Sequence, residues 1–168
     1  MSFTIYQASI PVLLRSLNQL SSLLHKAVAH AEAQQTDPAA LLDARLAPDM
    51  YPLLRQIQIA SDAAKGTGAR LAGIAIPSFP DTETNFDQLL ERIAKTVAFL
   101  EGLDPNAFAG AEERDIVLKL PNGEMHFTGA NFLSHFALPN FFFHVVTAYD
   151  ILRHNGVPLG KADYLGGV

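Results

Sequence analysis

Asn140 and His144 stand one helical turn apart in a segment whose other residues on the same face are apolar. At about 100° per residue, Ala130, Leu133, Ala137, Asn140, Phe141, His144, Ala148 and Ile151 fall on one stripe. An imidazole on such a face is either a ligand or general base turned toward a cavity, or a neutral buried histidine bonded to a neighbour. Leaving it unsatisfied would cost about 1–3 kcal/mol. Spacing alone leaves both readings open.

A second line of polar residues, Tyr51, Arg55, Gln58, Asp62 and Lys65, runs along the edge of an earlier apolar stripe. If that edge faces the helix of His144, Gln58 or Asp62 approaches the imidazole, and Asp62 would orient it for general-base work. If the edge faces solvent, the same residues are i, i+3 and i+4 charge pairs. The catalytic candidates are therefore His144 and Asp62. The ligand-binding candidates are His144, Asn140, Gln58, Asp62, Arg55 and Tyr51.

Other chemistries are excluded by what the chain lacks. There is no cysteine, hence no disulfide, thiolate nucleophile or sulfur-ligated metal. No H-E-x-x-H, G-x-S-x-G, Gly-rich phosphate loop or Glu-x-x-His of the di-iron type occurs. The net charge of −5 comes without any basic run, which argues against nucleic-acid binding, since phosphate neutralisation needs clustered cations. No apolar run is long enough to cross a membrane, and residues 1–10 carry no Lys or Arg of signal-peptide type. The chain reads as soluble and cytoplasmic, and its 168 residues suit one domain over 1–168.

Four long helices are expected to position these residues. Apolar residues from Ile5 to Ala33 follow i, i+3/i+4 spacing, with Pro11 near the start. A second helix is expected from Pro48-Asp49 to Gly66, followed by a loop over 66–80 pinned to the core by Leu71, Ile74 and Ile76. The third, with Phe86, Leu89, Leu90, Ile93, Val97 and Leu100 inward, is capped from among Asp81, Thr82 and Thr84 and ends at Gly102. Residues 114–127 alternate instead, and Pro121-Asn122-Gly123 is a turn signal, so a β-hairpin is expected before the last helix. That helix is capped by Thr128 and runs to about His154, and the Gly-rich tail beyond it reads as non-helical. The fold class is all-α, a four-helix bundle with one small hairpin. Its long connections point to a non-adjacent crossover or functional loops.

The stretch Pro139-Asn140-Phe141-Phe142-Phe143-His144, then Ala148-Tyr149-Asp150-Ile151-Leu152-Arg153-His154-Asn155-Gly156 and Gly160-Lys161-Ala162-Asp163-Tyr164-Leu165-Gly166, resembles the C-terminal signature of an uncharacterised bacterial family of the DinB-like superfamily. Tyr6-Gln7-Ala8-Ser9 and Asp49-Met50-Tyr51-Pro52-Leu53 fit it too. The resemblance implies an up-down-down-up bundle, commonly dimeric. In many members it implies a divalent metal on three histidines, one from the second helix and an H-x₃-H pair from the fourth, and in some the transfer of low-molecular-weight thiols. Here His144 matches the second histidine of the pair, Asn140 replaces the first, and Asp49 to Lys65 holds no histidine. The amide is a poor ligand for zinc or nickel, so no cofactor is expected; a hard cation on Asp62, Asn140 and His144 is the remaining metal reading.

Three functions follow as expectations: a small-ligand binder with its site near His144, a transferase or hydrolase with His144 as base, or a protein acting through a partner. The last helix is apolar around most of its circumference, counting Phe136, Phe142, Phe143, Val146 and Tyr149. It is therefore covered by the tail and hairpin, or by a second copy in a homodimer.

Overall fold

Thr4 opens the first helix through a capping box, its hydroxyl accepting the Gln7 N–H while the Gln7 side chain accepts from the Thr4 N–H. In the computed structural model, which describes residues 3–166, helix α1 (Ile5–Ala33) continues past Pro11 without a break. Pro11 lies on the exposed side, where the carbonyl it leaves unpaired can reach water.

Helix α2 (Leu53–Ala72) begins later and ends later than expected. Pro52 is its extended N-cap, and the N–H groups of Leu53 and Leu54 are taken by Ala44 O and Leu42 O of the preceding connection. Gly66 and Gly68 lie inside the helix. A Cβ on Gly68 would come within 2.6 Å of Leu100 and 2.9 Å of Leu103, so this glycine lets a neighbouring helix approach closely rather than ending its own. Gly73, at φ +70°, is the actual stop. Leu71 is buried as expected, but Ile74 and Ile76 remain 47% and 42% exposed and do not pin the loop.

Helix α3 (Phe86–Glu101) is capped by Asn85, whose side chain accepts the Gln88 N–H. Of the expected caps Asp81, Thr82 and Thr84 none serves, and Asp81 is turned to Arg55 and Arg92. Strands β1 (Asp115–Leu120) and β2 (Gly123–Thr128) form the hairpin, with Ile116 opposite Phe127 and Leu118 opposite Met125. Ile116 and Leu118 are buried on the body of the protein, while Leu120 and Met125 project beyond it. Thr128 then caps a continuous helical run: α4 (Gly129–Asn131), a π-helical turn over Phe132–Ala137, and α5 (Leu138–His154). The wide turn sits just before Pro139, which has no N–H to give and whose ring would crowd the carbonyl one turn back.

Helix α5 packs against α2 and α1, and α3 packs against the same two. Ser61 meets Thr96, Asp62 meets Arg92, and Gly68 meets Leu100, so α2 and α3 run parallel. Gln56 meets His144 and Arg70 lies over Phe132, so α5 is antiparallel to α2. Parallel neighbours need a connection as long as the helix. Residues 73–85 supply it, running back along α2 with Phe79 beside Lys65, Asp81 beside Arg55 and Glu83 beside Gln58. This is the up-down-down-up order, and the core is built from the inward stripes of α1, α2, α3 and α5.

The tail corrects a further expectation. Lys161–Leu165 forms a short helix, α6, between glycines at either end. It lies on α1, where Asp163 pairs with Lys26 and Leu165 O accepts from Arg15. Tyr164 meets Tyr149 edge-on at 6.2 Å. Phe142 and Tyr149 are thereby half-buried, and Phe143 (56%) and Val146 (38%) are what α5 still exposes.

Candidate functional site

His144 is brought to α2, but to a residue the polar line did not include. Its Nδ1 lies 2.7 Å from Oε1 of Gln56, which is 1% exposed. The Gln56 Nε2 donates in turn to Tyr51 O at 2.9 Å. A backbone carbonyl can only accept, so the amide is oriented with its oxygen toward the imidazole. His144 must then carry its proton on Nδ1 and present a lone pair on Nε2. Burial, and secondarily the charge of Arg55, holds the His144 pKa below the ordinary imidazole value, which keeps the ring neutral.

The Nε2 atom has no partner among the described residues. No enclosed side-chain nitrogen or oxygen there is left unpaired, so Nε2 belongs to the 8% of His144 that reaches the surface. Phe143 stands edge-on to the ring at 5.2 Å, Asn140 is half-buried one turn back, and Tyr51 is exposed. Arg55 lies over the Tyr51 ring at 5.7 Å. Tyr51 thus joins the two groups: its carbonyl holds Gln56 and its ring carries Arg55.

Asp62 does not orient His144, and Gln58 does not approach it. Asp62 Oδ1 accepts from Lys65 Nζ at 2.8 Å and from Arg92 Nη2 at 2.9 Å. Gln58 donates to Glu83 at 2.8 Å and accepts from Arg55 at 2.7 Å. The reason is helix phase. The α2 row that faces α5 contains Gln56 and Arg70, fourteen residues and nearly four turns apart, whereas Gln58, Asp62 and Lys65 lie toward α3 and the returning segment.

These residues surround Arg92, 2% exposed and absent from the sequence-based candidates. It donates four hydrogen bonds, Nε to Ser61 Oγ, Nη1 to Pro80 O and Glu83, and Nη2 to Asp62, and Nη2 also forms an ion pair with Asp81 at 2.9 Å. Burial lowers its pKa, but the hydrogen bond it donates to Glu83 and the charges of Asp62, Glu83 and Asp81 outweigh that, and the net shift is upward. For Glu83, burial pushes the pKa up and the hydrogen bonds from Gln58 and Arg92 outweigh it, leaving it below the usual carboxylate value. A cleft of about 350 Å³ lies beside this cluster, between Phe79, Pro80 and Lys95. With each of its three nitrogens bonded, Arg92 ties segment 73–85 to α2 and α3, and Arg92 and Glu83 form part of the cleft wall.

Two signals in the chain point to these residues. Gln56 interrupts a row of apolar and small residues, Leu53, Ala60 and Ala64, and Arg92 sits inside the stripe of Leu89, Ile93 and Thr96, downstream of three acids at 81, 83 and 87.

Residues 5–165 match the family described as a domain of unknown function, DUF1993. The chain belongs to the DUF1993 family. It is also 41% identical to a DinB family member protein from Shewanella denitrificans of known crystal structure, with a TM-score of 0.91 over 98% of this chain and 93% of that one. This places the DUF1993 chain among DinB-like helical proteins. No curated protein matches it.

The donors at His144 do not fit the three-histidine transition-metal site that the resemblance implied. Among the described residues no three His, Cys, Asp or Glu side chains converge on one point. The α2 group that meets His144 is an amide whose oxygen is already occupied by the Nδ1 proton, and Asp62 is bound to two cations elsewhere. One imidazole and a neighbouring amide are too weak a set for zinc or nickel. No helix among those described is long and apolar enough to cross a membrane.

Proposed function

We propose that this DUF1993 protein binds a small ligand where His144 reaches the surface, between the start of α2 and α5. The observation that carries the reading is the relay from Tyr51 O through Gln56 to His144 Nδ1, which leaves a neutral Nε2 lone pair directed to solvent. An imidazole hydrogen-bonded to a buried amide that is itself bonded to Tyr51 O is pre-organised, and its Nε2 acceptor has no donor among the described residues. Asn140, one turn before His144, and Tyr51, whose carbonyl holds Gln56, would supply further contacts, while Arg55 and Gln58 are bonded toward Asp81 and Glu83, and Asp62 serves the Arg92 cluster. A small-molecule screen followed by ¹⁵N spectra of the imidazole tests this. Bound compounds should move the His144 Nε2 resonance, and hits that consistently leave it unmoved would place the site elsewhere.

A second reading, homodimerisation, is favoured by one observation: Phe143 and Val146 remain exposed side by side on α5 after the tail has covered Phe142 and Tyr149. Phe143→Glu should convert a sedimenting dimer into an 18.2 kDa monomer. A wild-type monomer at tens of micromolar would refute it.

A further inference from the structure

The tail helix α6 lies along α1 without filling the angle between α1 and α5. A cleft of about 430 Å³ remains there, walled by Val12 of α1, Phe142 of α5, and Tyr164 and Leu165 of α6, with Arg15 and Gln19 in the same lining. Val12, Phe142 and Tyr164 are half-buried and Leu165 is 40% exposed, so the apolar wall is open to a visitor. The tail is held close along one side. Leu165 O accepts from Arg15 Nη2 at 2.6 Å, and Gly166, at φ +76°, sits where a Cβ would strike the Gln19 amide. Val12 and Gln19 are seven residues apart on α1, which gives the cleft a run of about 10 Å.

The charge of this wall is one-sided. Arg15 is the cation of the lining, and among the described residues its one hydrogen bond goes to a neutral carbonyl and no carboxylate pairs with it. From Ile5 to Ala31 α1 carries no acid. The nearest acid of the tail, Asp163, is taken by Lys26 and by the Gly160 N–H. The Nε and Nη1 donors of Arg15 are therefore left beside an apolar trough, and a planar guanidinium receives carboxylates in preference to other anions of one charge. The cleft is also separate from His144. Phe142 and His144 are two residues apart on α5, about 200° around the helix, so one turns to α1 and the tail while the other turns to α2.

We propose that the cleft between α1, α5 and the tail helix binds a free medium-chain acyl carboxylate, its alkyl chain along Val12, Phe142, Tyr164 and Leu165 and its carboxylate on Arg15. An extended chain of roughly eight carbons matches the run of about 10 Å along α1. Because Tyr164 and Leu165 supply one wall, the bound chain also fastens α6 to α1. This is a second site, independent of the one at His144.

Octanoate, hexanoate and octylamine separate chain length from charge. Each is titrated at neutral pH into the full chain carrying ¹³C-methyl and ¹⁵N labels. Octanoate should saturate at one molecule per chain, move the Val12 and Leu165 methyl and Arg15 Nε signals, and leave His144 Nε2 where it is. Hexanoate, two methylenes shorter, should bind roughly fivefold more weakly. Octylamine, of opposite charge, should bind at least about threefold more weakly, the scale of an exposed ion pair. Arg15→Gln should bring octanoate and octylamine to equal affinity. Leu165→Asp, at an exposed tail position outside the core, should abolish octanoate binding, and octanoate should slow hydrogen exchange over residues 161–166 of the unaltered chain. Octanoate that moves none of the Val12, Leu165 and Arg15 signals overturns the site. Equal binding of octanoate and octylamine overturns the anionic class, and equal binding of octanoate and hexanoate overturns the acyl chain. Binding to phosphatidylglycerol vesicles with free octanoate inert overturns the free carboxylate in favour of a membrane surface.

Discussion

Replacing Gln56 with leucine tests the relay on which the site depends. Gln56→Leu keeps a side chain of similar size in a position that is 1% exposed, but removes the acceptor for His144 Nδ1 and the donor to Tyr51 O. Tyr51 is exposed, so water can replace the lost donor there. The Nδ1–H of His144 faces the bundle and has no such substitute. An unsatisfied buried donor costs about 1–3 kcal/mol, part of which the added apolar burial of leucine offsets. For a chain of this length each kcal/mol moves the melting temperature by about 2–4 °C, so a fall of about 2–8 °C is expected. The double variant Gln56→Leu with His144→Leu removes both partners and should be more stable than Gln56→Leu alone, because apolar pairs of similar shape replace a bonded pair at little cost. Scanning calorimetry reads the stability, and imidazole ¹⁵N shifts should show that Gln56→Leu lets the proton exchange between the two ring nitrogens. A single variant that melts within about 1 °C of wild type with an unchanged Nε2 shift would refute the relay.

Stability should also fall with acidification in a window set by His144. Its folded pKa lies below the ordinary 6.5, so under that pH the unfolded chain binds a proton that the folded chain refuses. The contribution is complete above 6.5 and lost as the pH falls toward the folded value. Urea midpoints at about pH 7.5 and 5.5 should therefore differ less in His144→Leu than in wild type; an identical dependence would count against a neutral, buried ring. The Glu83 contribution is separate, since its pKa is lowered from 4.5 and it is lost only below that pH, as Glu83→Gln should show by removing the additional acid sensitivity there. Arg92→Met leaves Asp62, Asp81 and Glu83 facing one another around an apolar side chain. A loss of about 3 kcal/mol is expected, at the low end for a broken buried pair because Asp62 and Asp81 remain accessible to water. Hydrogen exchange should quicken across residues 73–85 in that variant, and unchanged protection would show that the cluster does not hold the segment.

The helical faces, the hairpin and the inward position of His144 are all legible in the chain, because period 3.6 and period 2 are properties of local backbone geometry that side-chain order records directly. The stop of α2 is not. Gly66 and Gly68 look like punctuation, yet Gly68 is small because Leu100 and Leu103 of the neighbouring structure press against it, a fact about contacts some thirty residues away. The tail is similar: Lys161–Leu165 is helical among glycines because α1 and Tyr149 give it a surface to lie on. The partner of His144 shows the limit most directly. Periodicity tells which side of α2 is apolar, but not which neighbour lies against each edge of that side. A parallel α3 and an antiparallel α5 place Asp62 with Arg92 and Gln56 with His144, and that choice comes from the lengthwise return of residues 73–85, which is decided by packing of the whole chain and has no local signature.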